Sequence, residues 1–228
     1  MQRLAVGVLV NNAGYSQSGA VESVSPGELR RQFETNVFGL LRMCQLVLPG
    51  MRRQRFGRIV NLSSMGGRLV FPGGGVYHAT KYAVEALSDA MRFELAGFGV
   101  EVVVIEPGLI KTGFAQAAVG SIAEGTPAAG PYAEFNSAVA ASTVDAYEGP
   151  LARLGGGPEA VARKVEKAIS VRRPATRYPV TASARLLMLQ RRLLPDRLWD
   201  AVMATRFPKP GPRVATPGAK PGESPPNR

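Results

Sequence analysis

A tyrosine and a lysine four residues apart, Tyr77 and Lys81, are the pair in this 228-residue chain best suited to move a proton. They fall in a run whose spacing predicts a helix over residues 76–98, and positions i and i+4 of a helix stack on one face. A phenol ordinarily ionises near pH ~10, which matches acid–base work at neutrality poorly. A fixed ammonium beside it favours the phenolate and pulls that value down. Such a pair is common on helices, so context has to carry it. Ser64 lies thirteen residues before Tyr77, and the glycine-rich stretch between them (Gly66-Gly67, then Gly73-Gly74-Gly75) lets the chain fold back. The only histidine, His78, is turned about 100° around the helix from Tyr77 and is read as a surface or rim residue outside the chemistry.

The elements that must position these residues alternate. Leu4 to Val10 is a short apolar run ending in the turn cluster Asn11-Asn12-Ala13-Gly14, the pattern of a buried strand. Ser25-Pro26-Gly27-Glu28 places a serine at a helix N-cap, proline at the first helical position and glutamate three residues after the cap. The helix predicted from Glu28 to about Arg53 carries Leu29, Phe33, Val37, Leu40, Leu41 and Cys44 largely at three and four spacing. A strand is predicted at Arg58–Ser63, then the glycine loop and the Tyr77 helix. Val100–Glu106, too β-branched for a comfortable helix, is stopped by Pro107-Gly108. Apolar strands alternating with amphipathic helices predict a parallel sheet covered on both faces. In such sheets ligands bind beyond the carboxyl ends of strands. Asn11–Gly14, Ser63-Ser64 and Pro107–Thr112 all follow strands, so three segments converge on one rim.

Beyond Thr112 the pattern loosens. Residues 115–147 are rich in Ala, Gly and Ser and predict short helices in a mobile lobe. A helix is predicted at Pro158–Val171, a last strand at Arg177–Val180, and helices at Ala184–Leu194 and Asp196–Arg206. Residues 1–207 are expected to form one catalytic domain. Residues 208–228, dominated by Pro, Gly and Lys, are expected to be a disordered tail.

Composition narrows the function classes. One cysteine, Cys44, excludes an internal disulfide and a Cys-rich metal site, and no metal ligand set is expected. Cys44 is expected to be buried, Met43, Met51 and Met91 to fill the core, and Trp199 to be packed. No stretch reaches the ~18–20 uninterrupted apolar residues of a membrane span, and the expected compartment is the cytoplasm. The net charge of +11 is nearly all C-terminal, with 15 Lys/Arg against 5 Asp/Glu in residues 159–228. These basic residues are scattered and not interleaved with aromatics, so a solvated surface is favoured over nucleic acid. Peripheral contact with an anionic membrane stays open as a third reading.

Asn11-Asn12-Ala13-Gly14, Asn36 within Thr35-Asn36-Val37-Phe38-Gly39, Ser64, Tyr77-x-x-x-Lys81 and Pro107-Gly108-x-Ile110-x-Thr112 occur in an order and spacing that resembles the short-chain dehydrogenases/reductases. The resemblance runs from about residue 6 to 114 and more weakly to about 207. It implies an oxidoreductase with a Rossmann-like, doubly wound parallel sheet and NAD or NADP as cofactor. Tyr77 would be the general acid/base, Lys81 would hold the nicotinamide ribose and lower the pKa of Tyr77, and Ser64 would polarise the substrate oxygen. Asn36 would bend its helix and hold a water in the proton relay. Pro107, Gly108, Ile110 and Thr112 would line the nicotinamide. Asn11, Ala13 and Gly14 would lie against the adenosine side and brace the sheet.

The family also carries a glycine-rich phosphate turn between its first strand and helix, well before Asn-Asn-Ala-Gly, whereas only ten residues precede Asn11 here. The chain is therefore expected to be N-terminally truncated, lacking the first strands and the dinucleotide turn, with an unpaired apolar strand edge. Inactivity for want of that turn is the consequence expected of the chain as it stands. The substrate expected is a hydrophobic ketone or secondary alcohol, lipid-, steroid- or retinoid-like. The expected assembly is a homodimer or homotetramer through the helices holding Asn36 and Tyr77. The alternative is a non-catalytic relative of the family that survives as a binding or oligomerisation partner.

Overall fold

The computed structural model describes residues 6–125 and 130–211, without the side chains of 123–125. Four parallel strands stand in the order β1 (Val8–Asn11), β2 (Gly57–Leu62), β3 (Val100–Glu106) and β4 (Arg177–Pro179). Spatial order equals chain order, so each connection is a crossover. The first passes through α1 (Pro26–Phe33), a π-helical turn (Glu34–Gly39) and α2 (Leu40–Gln54). The second passes through α3 (Gly75–Leu95), and the third through α4 (Phe114–Gly125), α5 (Ala133–Glu148) and α6 (Pro158–Ser170). Helices α7 (Ala182–Leu193) and α8 (Asp196–Ala204) follow β4.

Side chains alternate across the sheet as a period of two requires. Ile59, Val100 and Val102 face α2 and α3, where Leu40, Cys44, Met51, Val84, Met91 and Leu95 complete one core. Val60, Leu62, Val103 and Ile105 face the other way onto Ala168 and Tyr178, with Val161 and Val165 of α6 beside them. A third cluster, Met65, Leu109 and Ala184 with Phe71, Tyr147, Leu151 and Leu187, forms the lobe over the strand ends.

The Ser25 capping box is present in both directions, Glu28 N donating to Ser25 Oγ (3.2 Å) and Ser25 N donating to Glu28 Oε2 (2.8 Å). The helix expected at 28–53 exists, with the π-turn around Asn36 as its interruption. Gly57 is required where β2 begins, because a Cβ there would lie 2.5 Å from Met51 Sδ. In the lobe, α4 and α5 are regular helices of 12 and 16 residues, longer than the short helices the composition suggested.

Two expectations fail here. The first strand is not buried on both faces: Leu9 packs on the core, but Val8 and Val10 are 38% and 40% exposed on the opposite face of what is an edge strand. Met43 points outward at 46% exposure, whereas Met51 and Met91 are core residues. Of the Pro/Gly/Lys-rich tail, residues 212–228 lie outside the described residues.

Candidate active site

The exits of β2 and β3 are stitched together above the sheet. Ser63 N donates to Ile105 O (2.9 Å) and Met65 N to Pro107 O (2.8 Å). Between them Ser64 caps a short 3₁₀ turn, its Oγ accepting from Gly66 N at 3.0 Å and lying 3.5 Å from Pro107 O. Helix α3 returns over this turn, so Tyr77 in its first turn and Lys81 in its second meet Ser64. The Ser64 hydroxyl acts on the Tyr77 phenol, favouring its ionised form. Lys81 Nζ donates to Leu62 O (2.7 Å) at the end of β2 and stands 5.8 Å from the Tyr77 ring centroid. All three residues line one cleft of about 1330 Å³.

Burial sets the electrostatics. The Tyr77 phenol is pushed well above its ordinary value by burial; the Ser64 hydroxyl pulls it back in part, and Tyr147 pushes it further up. Burial, not the Lys81 ammonium, governs this value; that ammonium donates to Leu62 O and stands over the Tyr77 ring. Lys81 itself is pushed down to about 8 by burial, with the Glu85 carboxylate opposing. Its ammonium form is therefore held at neutrality by a narrow margin. Glu85 in turn is bound by Arg177 of β4 (3.0 Å), which also holds Asp89 (2.7 Å) and faces Glu106 (3.5 Å).

His78 corrects the sequence reading, since it is buried rather than on the rim. Its Nδ1 faces Gly66 O at 2.9 Å and its Nε2 accepts from Phe71 N at 3.2 Å. The glycine loop has wrapped around the imidazole: a Cβ on Gly66 or Gly74 would come within 2.6 Å of the ring. Burial pushes the imidazole down to about 4, so at neutrality it is uncharged.

The remaining candidates divide. Gly14, Pro107, Gly108, Ile110 and Thr112 line the cleft with Ser64, Tyr77 and Lys81. A Cβ on Gly14 would stand 3.6 Å from Lys81 Nζ and 3.2 Å from Asn36 Oδ1, so the bare backbone is what leaves the ammonium reachable from that edge. Asn36 works from behind. It clamps Tyr15 in both directions (Tyr15 N to Oδ1, 3.2 Å; Nδ2 to Tyr15 O, 3.0 Å) and donates to Thr80 Oγ1 (3.0 Å). Asn11 turns away from the cleft: its Nδ2 donates to Asn61 Oδ1 (2.9 Å), and Asn61 donates to Ser88 Oγ (2.9 Å), a polar ladder tying β1 to β2 to α3. Ala13 is exposed on the loop between and does not line the cleft.

Sequence reasoning missed Asn12, Tyr147 and Glu85. Asn12 lines the cleft while its neighbour Asn11 does not, an alternation readable only once the strand's facing is known. Tyr147 comes from α5, whose run of small residues carries no chemical pattern. Among the described residues no group of three or more His, Cys, Asp or Glu is placed to hold a metal, and no helix is long and apolar enough to cross a membrane.

A four-stranded parallel sheet with Ser, Tyr and Lys gathered beyond its carboxyl ends defines a class, and comparison with known proteins gives it a name. Residues 2–121 match the short chain dehydrogenase family model, and the chain belongs to that family. It is 37% identical to the uncharacterized oxidoreductase YbbO of Escherichia coli K12 over 86% of this chain and 66% of that one, so it spans just under two thirds of that relative's length. It is 36% identical to the NADPH-dependent 3-dehydrocapnine reductase of Ornithobacterium rhinotracheale, over 86% of this chain and 68% of that one. Among solved structures, a short-chain dehydrogenase from Streptomyces avermitilis superposes with a TM-score of 0.66 at 32% identity, covering 88% of this chain and 67% of that one.

Proposed function

We propose that the protein transfers hydride between a nicotinamide dinucleotide, NAD or NADP, and a hydrophobic carbonyl/alcohol substrate in the cytoplasm. The observation that carries this is that Ser64, Tyr77 and Lys81 line one cleft beyond the strand ends, with the Ser64 hydroxyl acting on the Tyr77 phenol. The residues present fit the ribose and nicotinamide end of such a cofactor. Lys81 has used one of its three donors on Leu62 O and is approachable over Gly14. The loop Pro107–Thr112 supplies the opposite wall. When bound, the dihydronicotinamide supplies the hydride that reaches the carbonyl carbon.

The chain's own residues do the rest. Ser64 Oγ donates to the substrate oxygen and polarises it. Tyr77, kept protonated by burial, delivers its proton to that oxygen as the C–O double bond becomes an alcohol. Lys81 holds the ribose hydroxyls and lowers the cost of the phenolate that Tyr77 becomes. Asn36 positions Tyr15 and, through Thr80, the first turn of α3; a water held there would return the proton. Asn11, Ala13 and Gly14 brace the adenosine side, with Asn11 acting through the sheet.

The apolar walls support the substrate class: Phe71, Phe114, Leu151, Leu187 and Trp199 line the outer part of the cleft. The NADPH dependence in the Ornithobacterium relative's name supports a nicotinamide cofactor. A homodimer or homotetramer through α2 and α3 is supported by exposed Leu46 on α2 and Phe93 on α3, with exposed Phe38 on the π-turn that leads into α2.

The test is to titrate NADH and NADPH against the full chain by nicotinamide fluorescence, then to add a long-chain 3-ketone or a short one. Saturable binding and faster cofactor oxidation with the long ketone are expected. Failure to bind either dinucleotide, with no recovery once a glycine-rich dinucleotide turn is supplied ahead of residue 1, would overturn the reading in favour of a non-catalytic binding partner.

A further inference from the structure

Helix α7 has two apolar stripes, and only one is used. Ser183 and Ala184 are buried and Leu187 and Met188 half-buried against the lobe cluster. Leu186, Leu189 and Leu193 face outward, with Leu189 at 54% and Leu193 at 72% exposure. At about 100° per residue these three lie within about 60° of one another, so they form a continuous ridge. Arg185 and Arg192 stand along one border of it, both exposed. Just past the turn, α8 adds exposed Leu198 beside Arg197. A solvated helix face has no physical reason to align three leucines.

Charge identifies what the ridge meets. Arg191 is engaged by Asp196 and by the face of Trp199. Among the described residues none of Arg185, Arg192, Arg197 and Arg206 makes an ion pair. A second copy of the chain would bring the same uncompensated arginines against each other, in a region where residues 159–228 hold 15 basic against 5 acidic groups. An anionic lipid surface takes both features at once, leucines at the headgroup–acyl boundary and arginines on the phosphates. The place of the ridge in the fold agrees: Leu186 also lines the cleft, and Trp199, Val202, Met203 and Phe207 of α8 and its exit line the same outer end.

We propose that α7 docks the protein on anionic bilayers, with Leu186, Leu189 and Leu193 inserted and Arg185 and Arg192 on lipid phosphates, so that the cleft mouth opens toward the leaflet. An apolar substrate then reaches Tyr77 without crossing water. That last step alone rests on the proposed oxidoreductase activity; the docking does not.

The test is co-sedimentation of the full chain with vesicles of phosphatidylcholine alone, or mixed in equal parts with phosphatidylglycerol, without cofactor or substrate. Binding to the mixed vesicles should exceed binding to the neutral ones by about tenfold or more and weaken as salt is raised. Arg185→Glu with Arg192→Glu should remove most of that preference. Leu189→Asp with Leu193→Asp should abolish binding. Both pairs sit on an exposed face, so circular dichroism and thermal midpoint should be retained. Absence of binding to the mixed vesicles, or binding that neither double variant reduces, overturns the proposal. So does a dimer without vesicle affinity that Leu189→Asp with Leu193→Asp dissociates, since the ridge would then belong to a second copy. Because the assay needs no turnover, its failure leaves the enzymatic reading standing, and a failure of that reading leaves the vesicle result standing.

Discussion

The Asn36 carboxamide and the Tyr15 main chain hold each other in both directions, Tyr15 N–H donating to Oδ1 and Nδ2 donating to the Tyr15 carbonyl. A third bond, to Thr80 Oγ1, ties that clamp to α3. Replacing Asn36 by alanine removes all three partners and leaves Tyr15 and Thr80 to find others in a buried setting. Asn36→Ala should lower unfolding free energy by about 2–4 kcal/mol, the range for several lost buried hydrogen bonds. Urea unfolding checks this; a loss under about 1 kcal/mol would mean water replaces the amide freely.

Tyr77→Phe isolates the proton from the packing. Ser64 Oγ keeps its bond from Gly66 N when the phenol oxygen goes, so the turn should survive. Turnover should fall by about 10²–10⁴-fold, the usual contribution of a positioned acid, with dinucleotide affinity nearly unchanged. Equal loss of affinity and turnover would instead make the hydroxyl a binding group.

The pH dependence of turnover should report Lys81. Its ammonium is pushed down to about 8 by burial, while the Tyr77 phenol is pushed up. Above pH 8 the positive charge is lost before the phenol ionises, so the reduction rate should fall through that value. The descending limb should move upward in Lys81→Arg, whatever its absolute rate, because a guanidinium stays charged. An unmoved limb would assign it to another group.

What the residues disclosed in advance was whatever depends on periodicity and short-range spacing. Val100–Glu106 appears with the predicted bounds, because seven residues of mostly β-branched type between glycine and proline admit little else. Ser64, Tyr77 and Lys81 were legible because two are fixed on one helix and the third is forced back by glycines. Direction and burial were not. Asn11 and Asn12 are chemically identical, and only the pleat decides that one braces the sheet and the other meets the cleft. His78 was placed on the rim by its angle from Tyr77, but the loop Gly66–Gly74 closes over that side of the helix. The direction of the phenol's shift is hidden for a related reason: helical spacing brings an ammonium near a ring, and cannot say how deeply the phenol will be buried.

His78 and Glu106 should make opposing contributions to stability. Burial pushes His78 down to about 4, so between pH 4 and its ordinary 6.5 the unfolded chain binds more protons, and stability is lost as pH falls. Glu106 is pushed up to about 7, by burial first and then by the Glu85 charge, with Arg68 and Arg177 opposing. Between its ordinary 4.5 and 7 the folded chain binds more protons, and stability is lost as pH rises. From pH 4.5 to 6.5 the two slopes, each about 1.4 kcal/mol per pH unit at most, cancel. Denaturation across that window should be nearly flat in the wild type as far as these two groups govern it. It should slope downward with rising pH in His78→Gln and upward in Glu106→Gln. Identical slopes in the two variants would refute the assignment.

Gly73 offers a test of how the loop over the active site is held. Its φ of +79° lies in the left-handed region, and a Cβ there would sit 2.4 Å from Val139 Cγ2 on α5. Gly73 O also accepts from Gly19 N at 2.7 Å, so the residue cannot shift without loosening the segment that leads to α1. Gly73→Ala should therefore carry two separable costs, about 1–2 kcal/mol for the backbone conformation and a further amount for the clash. Val139→Ala removes the methyl groups that collide, at its own cost of about 1–3 kcal/mol in lost packing. If both effects are as the geometry implies, the double variant should be less destabilised than the sum of the singles by about 1 kcal/mol or more. Strict additivity would mean that α5 yields to the new methyl group, and that only the positive φ makes glycine necessary at this corner.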